Sequence, residues 1–154
     1  MSYKIIEREG FKLIGIGCRT KNADGFAMKD IGQLWQRFFA EGIVGKIPNK
    51  VDGNIYGVYT NYENGHDGMY TAMVACKVSS TEEVPEGMMA LEVAASRYAE
   101  YTVRGKMPDT VVQTWEQIEK ETAYQKAFKA DFDIYDPSSQ DPADMSVSIN
   151  VSLA

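Results

Sequence analysis

Histidine and cysteine are nearly missing from this chain: one histidine and two cysteines in 154 residues. A stable metal site needs three or four converging ligands. His66 stands alone in NYENGHDGMY, whose Asn, Gly and Asp residues mark a hairpin tip. Neither a metal nor a cofactor is expected. No Ser-His-Asp or Cys-His set is present, so triad hydrolysis has no support and no catalytic residue is assigned. Cys18 and Cys76 lie far apart in apolar runs without CxxC spacing, which suits two reduced, buried thiols in the cytoplasm. Basic residues are also scarce, with 16 Lys and Arg against 22 Asp and Glu and a net charge of -6. With no basic cluster, direct DNA binding is not expected. No apolar run approaches the roughly 18 residues of a bilayer span, and MSYKIIEREG has no signal-peptide character, so a cytoplasmic protein without a membrane partner is expected.

What the chain does hold is 44% hydrophobic and 11% aromatic residues, enough for one domain over 1–154. FKLIGIGCRT reads as a strand in which Gly15 and Gly17 permit a bulge or a close backbone approach. Ile31, Leu34, Trp35, Phe38 and Phe39 then form one apolar helical stripe, ending near Gly42. NIYGVYTNY and MYTAMVACKV follow as a hairpin. The same order recurs in the second part. SRYAEYTVRG is a strand, and Pro108 and Asp109 offer an N-cap to a helix carrying Val111, Val112, Trp115 and Ile118. ADFDIYD and MSVSINVSL form the last hairpin around a polar loop. KIIE precedes the first unit as ALEV precedes the second, and setting Trp35 against Trp115 aligns Tyr59 with Tyr135.

Two β-α-β-β units, over about 1–78 and 88–154, predict an α+β fold: one antiparallel eight-stranded sheet with two main helices on one face. In the last strand Val147, Ile149, Val151 and Leu153 alternate with Ser146, Ser148, Asn150 and Ser152, which predicts that the opposite face is wet. A ligand cleft is expected between the helices, where the halves meet.

The run VPEGMMALEVAASRYAEYTVRG, the Trp-bearing helix, ADFDIYD and the terminal strand, together with LIGIGCRT and IYGVY, resemble the GyrI-like effector-binding domain. That small-molecule module is attached to many MerR-type and AraC-type multidrug-responsive transcription activators. The family pattern of phenylalanine, glutamate, any residue and tyrosine reads here Phe132, Asp133, Ile134, Tyr135, with Asp one methylene shorter than Glu. The resemblance implies an acidic group in an aromatic pocket that accepts lipophilic cations. With no helix-turn-helix before it, the module resembles a stand-alone version.

Asp133 is accordingly expected to be the counter-charge. Tyr135, Tyr59 and Trp115 are expected as pocket walls, with Trp35 and Tyr101 as further ligand-binding candidates. Each has a plainer reading: Trp35 as helix core, Asp133 as a carboxylate on the wet face, the tyrosines as ordinary strand residues. The function expected is non-enzymatic binding of an amphipathic, cationic small molecule, for sensing or sequestration. The alternatives are hydrolysis of electrophilic compounds in the same cleft, or a protein partner, as in topoisomerase inhibition.

Overall fold

The computed structural model describes residues 2–137, 141 and 143–154, so the polar loop expected over 137–144 lies partly outside the described residues. Eight strands form where β-branched and aromatic residues concentrate: β1 (Lys4–Arg8), β2 (Phe11–Lys21), β3 (Ile55–Thr60), β4 (Met69–Val78), β5 (Met89–Val93), β6 (Ser96–Gly105), β7 (Ala130–Tyr135) and β8 (Met145–Ser152). The helices are α1 (Phe26–Ala40), the one-turn α2 (Ile43–Lys46) and α3 (Asp109–Glu119). Helix α1 stops where Gly42 takes a left-handed φ of 61°, a conformation that costs glycine little. At α3 the expected cap is displaced by one position. Pro108 holds the N-cap, and Asp109 is already helical with no side-chain cap bond. Its carboxylate still stands at the positive end of the helix dipole. No helix among the described residues is long and apolar enough to cross a membrane.

All eight strands join one sheet in the order β1-β6-β8-β7-β3-β4-β2-β5, and every strand pair is antiparallel. Exchanging β1–β4 with β5–β8 reproduces this order read backwards, so the topology has a pseudo-two-fold axis between β3 and β7. The short first strand of each unit is traded: β1 pairs with β6, and β5 with β2.

Both main helices lie on one face. Leu34 and Phe38 of α1 pack with Ile14, Ile16 and Val74. Val111 and Ile118 of α3 pack with Ala99, Tyr101 and Ile149. The other face is not wet as the β8 alternation predicts: Asn150 and Ser152 are 0% and 1% exposed. The reason is topological. β1 and β2 stand six strand spacings apart, roughly 29 Å in a flat sheet, yet only Glu9 and Gly10 join them, a link reaching about 11 Å at most. The sheet has to curl. Its inner face buries Leu13, Tyr56, Val58, Met73, Tyr98 and Phe132. Phe132 of β7 meets Phe11 of β2 at 5.2 Å between ring centroids, although two strands lie between theirs. Polar groups on this face are satisfied internally: Arg8 Nε donates to Asn150 Oδ1 (2.9 Å), and Arg8 Nη2 and Ser148 Oγ donate to Glu100 (2.9 and 2.8 Å).

Gly15 sits where β2 pairs on both sides, opposite Ala75 and Met89. A Cβ there would strike the Val74 carbonyl oxygen and come within 2.5 Å of Ala75 Cα. Gly15→Ala should therefore destabilise the fold by about 1–3 kcal/mol in urea unfolding. Gly32→Ala, on helix α1 with open space around it, should instead stabilise by up to about 1 kcal/mol.

Candidate functional site

Strands β3 and β7 are the central pair, and their register places Gly57 opposite Asp133, with Tyr59 opposite Asp131 and Ile55 opposite Tyr135. Aligning Tyr59 with Tyr135 also aligns Gly57 with Asp133. The pseudo-two-fold axis therefore passes through the Gly57–Asp133 pair. On this axis the aromatic residues obey the symmetry and the carboxylate breaks it. Trp115 of α3 meets Tyr59 edge-on (5.4 Å, 78°), and its counterpart Trp35 of α1 meets Tyr135 edge-on (4.9 Å, 77°).

Asp133 points to the helix face and is 0% exposed. Its Oδ1 accepts the Trp115 Nε1 hydrogen at 3.0 Å, while Oδ2 accepts the hydroxyls of Tyr59 and Tyr135 at 2.9 and 3.3 Å. Among the described residues no basic side chain forms an ion pair with it. Burial pushes its carboxyl up to about 7; the three hydrogen bonds favour the ionised form, and nearby Asp131 adds to the rise. Burial likewise raises the Tyr59 and Tyr135 phenols well above their ordinary 10, so both remain donors at neutral pH.

Four of the six residues singled out in sequence thus meet at hydrogen-bond range: Asp133, Tyr135, Tyr59 and Trp115. Trp35 joins the cage through Tyr135, and its outer side is stacked by Phe39 (6.1 Å, 27°), which is 60% exposed rather than core. Tyr101 stands apart beneath α3, its hydroxyl paired with that of Tyr124 at 2.7 Å. The cage is closed over the carboxylate. A surface cavity of about 150 Å³ is lined by Tyr101 and the end of α3, and another of about 280 Å³ by Arg8, Phe11, Tyr56 and Lys77; Asp133 lines neither of them.

Sequence reading missed two neighbours. Asp131 is also buried (4% exposed), but it accepts the backbone amide and hydroxyl of Ser152 (2.6 and 2.8 Å) and the Tyr62 hydroxyl (2.6 Å). It replaces a ladder partner where β7 and β8 part. Gly57 is the other, and its signal was available: a glycine interrupting a strand, in the position aligned with Asp133.

The chain thus combines a curled, duplicated sheet with an aromatic-caged carboxylate at its centre. Residues 4–152 match the Cass2 family, described as integron-associated effector binding proteins, and the chain belongs to that family. It is 27% identical over 146 residues to Bacillus subtilis (strain 168) YobU, named as a transcriptional regulator protein, an overlap covering 92% of this chain and 91% of YobU. It is 28% identical over 158 aligned positions to the transcriptional regulator BrlR of Pseudomonas aeruginosa; this overlap covers 98% of the chain but 54% of BrlR. Among solved structures, an integron cassette protein from the mobile metagenome of Vibrio cholerae superposes with a TM-score of 0.78 at 25% identity, covering 99% of this chain and 95% of that one. SAV2435 bound to tetraphenylphosphonium shares the fold, with a TM-score of 0.83 at 20% identity over 100% and 94% of the two chains.

Proposed function

We propose that the chain binds amphipathic organic cations between its two halves, for sensing or sequestration, with Asp133 as counter-charge and Tyr59, Tyr135, Trp115 and Trp35 as walls. One observation carries this: a fully buried carboxylate whose hydrogen-bond partners are all aromatic side chains and which has no basic ion-pair partner among the described residues. Unpaired buried charge is costly, and a desolvated cation relieves that cost. The carboxylate oxygens already hold three donors, so the favoured ligand is a cation without N–H groups, bound by charge and area rather than by hydrogen bonds. Each ring face adds about 0.5–2 kcal/mol of cation–π attraction, and apolar contact about 25 cal/mol per Å². The tetraphenylphosphonium bound by the structurally similar SAV2435 is a ligand of this kind.

Quenching of Trp35 and Trp115 fluorescence tests the reading. Tetraphenylphosphonium should saturate, and neutral triphenylphosphine oxide should bind at least tenfold more weakly; equal affinities would sink the proposal.

A pH dependence follows. A bound cation requires the ionised Asp133, so below about pH 7 binding has to expel a proton. Affinity should fall by about tenfold per unit between pH 7 and pH 5, and calorimetry in buffers of different ionisation enthalpy should register one proton released per cation at pH 6. Tyr59 and Tyr135 stay protonated throughout this range.

A further inference from the structure

We propose that Gly57 sets the size of cation the site accepts, because it carries no side chain at the position of the symmetric cage that mirrors Asp133; this rests on the cation-binding reading above. The register pairs the two residues directly, and the aligned repeats make them equivalent positions. Both therefore face the space between the Trp35–Tyr135 and Trp115–Tyr59 pairs. A Cβ built on Gly57 would lie 3.4 Å from Trp35 Cζ2, 3.6 Å from Asp133 Oδ2 and 3.6 Å from Tyr135 Cε2. It would touch three members of the cage at ordinary contact distance, and these three nearest atoms all belong to side chains. A methyl group fits at contact distance; anything larger presses on Trp35, Tyr135 and the carboxylate, the groups proposed to receive the cation.

No left-handed φ is recorded at this position, and the strand runs through it in regular register. The absence of a side chain is therefore not a demand of the backbone. This contrasts with Gly15, where an added carbon would meet β4 itself. β-branched residues are otherwise preferred in a central strand, so a glycine here gives up packing in exchange for room.

The experiment compares the full chain with Gly57→Ala, Gly57→Val and Asp133→Asn, using tetraphenylphosphonium and the smaller tetraethylammonium as probes. Gly57→Val should weaken tetraphenylphosphonium at least tenfold while leaving tetraethylammonium within about threefold. Gly57→Ala should fall between the parent and Val, and it carries the test if the Val variant does not fold. The unfolding midpoint of Gly57→Ala should stay at or above the parent's, since its added methyl group meets only ordinary contacts. Parental affinity of Gly57→Val, or of Gly57→Ala where it stands in, for tetraphenylphosphonium overturns the inference. Equal losses for both probes overturn it too, since they would report general damage rather than size selection. If Asp133→Asn loses affinity while the Gly57 variants do not, only the Gly57 inference fails; if Asp133→Asn binds like the parent, the cation-binding reading fails with it.

Discussion

Asp133→Asn is expected to weaken tetraphenylphosphonium binding about 100-fold without unfolding the protein. Opposite unit charges about 4–5 Å apart attract by about 3–4 kcal/mol at an effective dielectric of 20. Part of that is offset because the neutral amide needs neither desolvation as an ion nor loss of a proton. A residual effect of about 2.7 kcal/mol corresponds to 100-fold. Asparagine keeps the shape: its oxygen can accept from Trp115 Nε1, and its amide nitrogen can donate to the hydroxyls of Tyr59 and Tyr135, which rotate to accept. The consequence for stability has the opposite sign. Asp133 titrates near 7 in the fold against 3.8 ordinarily, so the native state holds a proton that the unfolded chain releases. Stability from this group is fully present below about pH 4 and is lost as pH rises through 7. The Asn variant should lose that decline and melt no lower than the parent at pH 8. Retained cation affinity, or collapse of the fold, would contradict the assignment.

The second large effect is on the other side of the sheet. Phe132 is 0% exposed and packs against Phe11, Tyr56 and Tyr98, with the Arg8 guanidinium 5.7 Å from its ring centroid. Phe132→Ala leaves a large void inside a curl that cannot collapse without moving the central strands. It should cost about 3–5 kcal/mol, a large share of a domain's typical stability of about 5–15 kcal/mol. Denaturant unfolding measures it. Because alternate strand residues face opposite ways, the folded fraction should still bind the cation with parental affinity. Loss of binding by folded protein would show that the inner face and the cage are coupled.

These two neighbours mark the boundary of what sequence could show. Local pattern was enough for the elements: β-branched and aromatic runs located the strands, the Leu34 and Phe38 spacing located α1, and the β-α-β-β duplication announced the α+β class. Gly15, which sequence left as a bulge or a close backbone approach, is a close approach. The β8 alternation misled, because serine and asparagine in a strand look solvated whether water or Arg8 and Asp131 satisfy them. The curl behind that error depends on strand order: a two-residue link is tight only once β1 and β2 are known to sit near opposite ends of the sheet.

ADFDIY contains two carboxylates with period two, and both point to the helix face. Period two puts them on one face, but sequence left open which face that is and favoured Asp133 only by family resemblance. It could not separate their environments. Asp131 meets the end of β8, and Asp133 meets two phenols and an indole, because of the β3–β7 register and the docking of α3. Residue types and their periodicity are local properties and decided the elements, the duplication and the candidate residues. Which carboxylate is caged, and that Gly57 stands opposite it on the axis, was decided only when distant segments paired, because hydrogen bonds and ring contacts between residues some 75 positions apart form only in the closed sheet.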